Sequence, residues 1–185
     1  GLGSLFSSLR SALFPSSLRN SRARISSSCR MIVSCVGTVA ERSFFACVDR
    51  SEEPDLDDVN AAEWVVATIR FDDGPVCGSL ACSLPSDLAL WLFDAFSGRD
   101  PASPLPPRHQ LDDLVGEFSN MVCGTWLTRC EAHRVFKLNP PVITRVRQPE
   151  EDGCHREWLA VNNRPVAIDW DIVRSPGDGT TTTGW

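Results

Sequence analysis

The spacing of apolar side chains changes period several times along the 185-residue chain. Val33, Val36, Val39, Ala40, Phe44, Cys47 and Val48 recur mostly every three or four residues, which predicts a helix over residues 31–49. The segment from Ser51 to Asn60 is acidic, contains Pro54 and reads as a surface loop. From Glu63 to Phe71 the chain is rich in β-branched and aromatic residues (Trp64, Val65, Val66, Ile69, Phe71); Asp72-Asp73-Gly74 then supplies a turn before Val76 to Leu84. That succession predicts a β-hairpin. Pro85 just inside a helix start, with Ser83 as N-cap, opens a second helix that runs to Ser97 and ends at Gly98. Its main apolar face is Leu84, Leu88, Trp91, Leu92 and Ala95; Leu90 and Phe93 make it apolar nearly all round, as in a core or interface helix.

Four prolines between Asp100 and Arg108 exclude regular structure and make a stiff connector. It leads into the stretch from His109 to Gly124. Here Leu111, Leu114, Val115, Phe118, Met121 and Val122 share one helical face, and Asp113, Glu117 and Asn120 share the opposite one. Glu117 and Asn120 are three residues apart, so their Cβ atoms lie about 5–6 Å from each other. Gly124 continues the polar stripe. A glycine there costs about 1 kcal/mol of helix stability relative to alanine, and it lets another surface come close. Downstream, Arg134 to Asn139 reads as a strand, Pro140-Pro141 as a break, Val142 to Arg147 as extended chain and Gln148 to Gly153 as an acidic loop. Glu157 to Val161 and Val166 to Val173 pair around Asn162-Asn163. In the last strand Val166, Ile168, Trp170 and Ile172 alternate with Ala167, Asp169 and Asp171, which predicts one buried and one wet face. The order predicts an α+β domain in which long helices pack on a largely antiparallel sheet. Its two halves look related.

Composition narrows the function. The length suits one domain, and 42% hydrophobic with 23% charged residues is ordinary for a soluble protein. The net charge of −6 hides an asymmetry: residues 1–30 hold five arginines and no acid, which leaves the remainder near −11. An acidic body argues against nucleic acid as a partner. No apolar run approaches the ~18 residues of a membrane span. Residues 1–30, rich in Ser, Leu and Arg, superficially resemble a transit peptide; a disordered extension, or a start placed upstream of a true one at Met31, are the alternatives. We therefore expect an extension over 1–30, a domain over 31–175 and a flexible tail over 176–185. The eight cysteines include no C-x-x-C pair and no Cys/His cluster, and most sit in apolar runs. Reduced, buried thiols in a cytoplasmic protein, with no metal site, are expected. His109, His133 and His155 have neither ligand spacing nor a nucleophile partner, and read as surface or cap residues.

One constellation remains. Asp113-x3-Glu117-x2-Asn120, then Met121-Val-Cys-Gly124, and about twenty residues later Asn139-Pro140-Pro141, resembles the CheC/CheX/FliY family of chemotaxis phosphatases. The likeness runs roughly from Val33 to Val173 and includes the Phe71-x-x-Gly74 hairpin, Gly78 and the helix ending at Gly98. It implies a pseudo-symmetric CheC/CheX-like fold and hydrolysis of the aspartyl phosphate of a CheY-type response regulator. On that likeness Asn120 orients the attacking water, Glu117 pairs with a lysine of the regulator, Asp113 and Gly124 lie at the contact, and Pro140 or Pro141 shapes the neighbouring surface. The protein then needs no cofactor of its own, because Mg2+ sits on the partner. The Pro lies nineteen or twenty residues after Asn120 where the family pattern has about twenty-two. Two-site relatives carry a second copy on an earlier helix; the register taken here holds Asp87, Trp91 and Asp94, without Glu or Asn. The chain thus resembles the single-sited, CheX-like members, which implies a dimer. The alternative is a non-catalytic module of the same fold that docks a regulator or a flagellar-switch component.

Overall fold

Two β-hairpins meet back to back to make the sheet. The computed structural model describes residues 17–52, 54, 63–150 and 155–175, with side chains from residue 30 onward. In chain order the elements are α1 (Ser17–Phe44), β1 (Val48–Arg50), β2 (Trp64–Asp72), β3 (Val76–Pro85), α2 (Ser86–Ser97), α3 (Arg108–Cys130), β4 (Lys137–Leu138), β5 (Val142–Val146), β6 (His155–Val161) and β7 (Arg164–Arg174). The seven-stranded sheet has the order β1-β6-β7-β3-β2-β4, with β5 also on β2, and every pairing is antiparallel. This is the expected α+β architecture. Among the described residues no helix is long and apolar enough to cross a membrane.

Local chemistry sets the two hairpin turns. Asp72 Oδ1 accepts the Gly74 N–H at 2.5 Å and Asp73 Oδ1 accepts the Val76 N–H at 2.8 Å. The β6–β7 turn places Asn162 (φ 47°) and Asn163 (φ 61°) in the left-handed region, which asparagine tolerates better than most residues. Asn162 also bonds both backbone groups of Cys47, tying that turn to the start of β1.

Helices α1, α2 and α3 cover one face of the sheet. Their inner side chains (Val36, Phe44, Leu88, Leu92, Phe118 and Trp126 among them) close on Val65, Ala67, Ile69, Leu80, Cys82, Ile168 and Trp170. On α3 the expected apolar face is buried at Leu114, Val115, Phe118 and Val122, while Leu111 and Met121 are half-buried. The helix also runs on to Cys130, burying Cys123, Trp126 and Leu127 as well. Arg129 fastens this end to α1, donating to Ser34 Oγ at 3.0 Å and Thr38 Oγ1 at 3.1 Å.

Several local expectations are corrected. The chain turns from helix to strand between Phe44 and Val48, so Val48–Arg50 is edge strand β1 and not helix. Ser83 caps nothing: it is buried in β3, and α2 starts after Pro85, with Ser86 Oγ donating to the Glu63 carbonyl at 2.7 Å. The strand expected over Arg134 to Asn139 shrinks to the two residues of β4. The polar face of β7 is not wet either. Ala167 packs with Trp64 and Trp158. Asp169, 3% exposed, takes both arms of Arg156 at 2.7 and 2.8 Å, and that guanidinium lies 5.5 Å from the Trp158 ring centroid. An alternating pattern marks the two faces of a strand without revealing that neighbouring strands cover both.

The cysteines divide. Cys35, Cys82 and Cys123 are buried and Cys130 is half-buried, as expected of structural thiols; Cys47 and Cys77 are exposed, against expectation. Burial pushes the Cys82 and Cys123 thiols up to about 12, so neither is a thiolate near neutrality. Cys29 and Cys154 lie outside the residues with described side chains.

Candidate active site

Helix α3 presents its polar stripe on the open side of the helical layer. Asp113 and Glu117 are exposed and Asn120 is half-buried. No side chain among the described residues engages Glu117 or Asn120 in a hydrogen bond or ion pair. A carboxylate and a carboxamide one helical turn apart, both uncommitted, can therefore act together on something outside the domain. Gly124 extends the stripe, and a Cβ built there meets nothing within 4 Å.

The neighbouring acids are, by contrast, already used. Asp112 accepts two bonds from Arg145 of β5, at 3.0 and 2.7 Å, and the same guanidinium reaches Glu63 at 2.5 Å. This ties the start of α3 to the sheet edge. Its partial burial makes the network stiffer than a solvent-exposed ion pair. The stripe thus stands on a braced helix, with one set of charges spent on position and another left free.

Pro140 and Pro141 are brought to the same place. β4 and β5 both pair with β2, so the intervening Asn139-Pro140-Pro141 is a break in a single sheet edge, held by the Asn139 N–H on the Arg70 carbonyl at 2.9 Å. Pro140 points into solvent. Pro141 packs on Gly116 of α3: a Cβ at residue 116 would sit 3.0 Å from Pro141 Cγ, 3.4 Å from its Cβ and 3.5 Å from Ile143 Cδ1. Gly116 precedes Glu117 and lies one turn before Asn120, so Pro141 walls one flank of the stripe. Gly116 went unrecognised in the sequence. The available signal was a glycine in the middle of an apolar helix, which needs a packing reason to offset its propensity cost.

Residues 65–154 match the family described as chemotaxis phosphatase CheX. That match supports the CheC/CheX/FliY family for this domain. Solved CheX-family structures have the same fold at low identity. CheX from Vibrio vulnificus superposes with a TM-score of 0.57 at 16% identity, over 77% of this chain and 97% of that one. A CheC-like superfamily protein from a Shewanella species gives 0.58 at 17%, over 79% and 97%. A CheX from Borrelia burgdorferi, solved in complex with CheY, BeF3 and Mg2+, gives 0.51 at 16%, over 79% and 97%. No curated protein sequence matches the chain.

The fold also corrects the choice of sister helix. Each half consists of a helix, an edge strand and a hairpin, and each edge strand joins the other half's hairpin: β1 pairs with β6, and β4 and β5 pair with β2. The counterpart of α3 is therefore α1, and α2 has no counterpart among the described residues. Setting Gly37-Thr38 of α1 against Gly124-Thr125 of α3 puts Arg30 and Val33 where Glu117 and Asn120 stand. The register through Asp87, Trp91 and Asp94 was the wrong one, although its residues agree in lacking the pair. Asp87 is bound to Arg164 at 2.6 Å, Asp94 to Arg99 at 2.5 and 2.8 Å, and Trp91 packs on the core. Phe93 also packs on the core and Leu90 lines a cavity of about 430 Å³, so neither serves as evidence of a dimer.

Proposed function

We propose that this CheX-family domain is a phosphatase acting on the aspartyl phosphate of a phosphorylated CheY-type response regulator, through one site on α3. The observation that carries the reading is the pair of uncommitted side chains Glu117 and Asn120 on a braced helix whose stripe opens at Gly124. A Borrelia burgdorferi CheX of the same fold has been solved bound to CheY, which supports a partner of that kind.

An acyl phosphate is already a reactive mixed anhydride, so most of the catalytic task is geometric. In this reading the Asn120 carboxamide oxygen accepts a hydrogen bond from a water and aims it in line with the P–O bond to the aspartate. As the water oxygen bonds to phosphorus, the aspartate carboxylate leaves and inorganic phosphate forms with loss of a proton. An amide does this without titrating. Glu117 pairs with a regulator lysine and sets the approach; Asp113 adds a peripheral contact, and Gly124 and Pro140–Pro141 admit the partner surface. Mg2+ belongs to the regulator in this scheme. Arg30 and Val33 on α1 offer no second copy, which makes the enzyme single-sited. The test is to add the full chain to a phosphorylated CheY-type regulator encoded beside its gene and follow phosphate release. Acceleration over the regulator's own decay is expected; decay at the intrinsic rate overturns the reading.

A further inference from the structure

Helices α1 and α2 end side by side: the Phe44 and Phe96 ring centroids are 5.7 Å apart, and Phe44 also meets Phe118 of α3 edge-on at 5.7 Å. They finish differently. The left-handed cap of α2 is Gly98, φ 68°, a residue that takes this conformation without penalty. Helix α1 also closes on a left-handed residue, its Ala46 N–H reaching back to the Ala40 carbonyl at 3.1 Å, but that residue is Phe45, φ 55°. An L side chain there crowds the following carbonyl. The ring gains nothing in return inside the domain, since Phe45 is 80% exposed and its neighbour in this region, Phe96, is 62% exposed. One residue thus bears both a strained backbone and an apolar ring in water, where glycine would remove both. Residues held in such sparsely populated conformations cluster at functional sites.

This region adjoins the stripe. Ser43 Oγ contacts Met121 Sδ at 3.8 Å, and Met121 follows Asn120 directly, as Phe118 follows Glu117. The stripe therefore has two flanks, one walled by Pro141 and the other bordered by the ends of α1 and α2. Two polar groups orient a partner but hold it weakly; buried aromatic anchors supply most of the affinity in protein interfaces. We propose that Phe45 and Phe96 are the apolar anchor onto which the response regulator docks beside Glu117 and Asn120. This rests on the reading under Proposed function, and its occupant is that regulator because the end of α1 borders the stripe where Ser43 meets Met121, the residue after Asn120.

The experiment measures binding of the full chain to a CheY-type regulator loaded with Mg2+ and BeF3, for wild type, Phe45→Gly, Phe96→Ala and, as control, Val135→Ala, whose side chain is 91% exposed elsewhere. Phe45→Gly removes the backbone strain, so its Tm should rise while its Kd weakens by about tenfold or more. Phe96→Ala should weaken binding similarly, and Val135→Ala should leave it unchanged. Wild-type affinity in both Phe variants overturns the inference while leaving the phosphatase reading intact. A wild type that neither binds nor dephosphorylates the regulator overturns both. If Phe45→Gly instead turns a dimer into a monomer with no change in Kd, the surface belongs to a second copy and the inference is wrong.

Discussion

Gly116 and Pro141 are in contact, with room for no side chain between them: a Cβ on Gly116 would stand 3.0 Å from the Pro141 ring. The sequence separates them by twenty-five positions, and the β2 edge brings them together. This contact sets the distance between the sheet edge and the half-turn of α3 that carries Glu117. Replacing an exposed helical glycine by alanine ordinarily gains up to about 1 kcal/mol. Here Gly116→Ala should gain little of that, and Gly116→Leu should lose about 1–3 kcal/mol through overpacking against Pro141 and Ile143. Urea unfolding of the two variants checks this; an equal gain in stability from both would refute the contact.

Gly124 is the opposite case. A Cβ there meets nothing within 4 Å, so Gly124→Ala should stabilise the domain by up to about 1 kcal/mol. A long side chain, as in Gly124→Arg, should fold equally well yet reduce activity toward the regulator, because it fills the opening beside Asn120. Thermal melts together with phosphate-release rates separate the two effects. Full activity in Gly124→Arg would mean that the partner does not approach this side of the stripe.

The β2–β3 turn predicts a pH dependence. Burial pulls the Asp73 carboxyl upward, but the hydrogen bonds from Arg134 and the Val76 N–H, with the charges of Arg134 and Arg174, outweigh it and hold the group below its ordinary 3.8. The folded state therefore holds the proton less tightly than the unfolded chain does. The stabilisation is complete above pH 3.8 and is lost as pH falls through the lower folded value. Stability followed from pH 6 to about pH 2.5 should fall across that window, and Asp73→Asn should flatten this limb while lowering stability at neutral pH. An unchanged acid limb in Asp73→Asn would remove the turn's ion pair from the account.

Legibility in the sequence follows the range of the interaction. The Asp72-Asp73-Gly74 turn, the Asn162-Asn163 turn and the apolar face of α3 are all written within a few residues, and all are present. The Glu117–Asn120 pair was legible for the same reason, since helical spacing alone puts the two on one face. What stayed hidden depends on strand order. Asp169 and Ala167 look like a wet face until Arg156 and Trp158 are known to lie beside them. Gly116 looks like a flaw until Pro141 is known to touch it. The sister helix is hidden in the sequence because α2 is the neighbour of α3 along the chain, whereas pseudo-symmetry makes α1 its equivalent. Strand β1 was lost because three residues at a helix end carry too little pattern to mark a change of period.

Asn120 positions the attacking water, in this reading, and the most direct measurement is single-turnover phosphate release from a phosphorylated CheY-type regulator under saturating excess of the Asn120→Ala variant. Misplacing a reactive water costs on the order of 100-fold in rate. The account predicts a loss of that size with binding to the regulator retained, whereas Glu117→Ala should weaken binding as well. Wild-type turnover by Asn120→Ala would contradict it and leave α3 as a docking helix without a catalytic role.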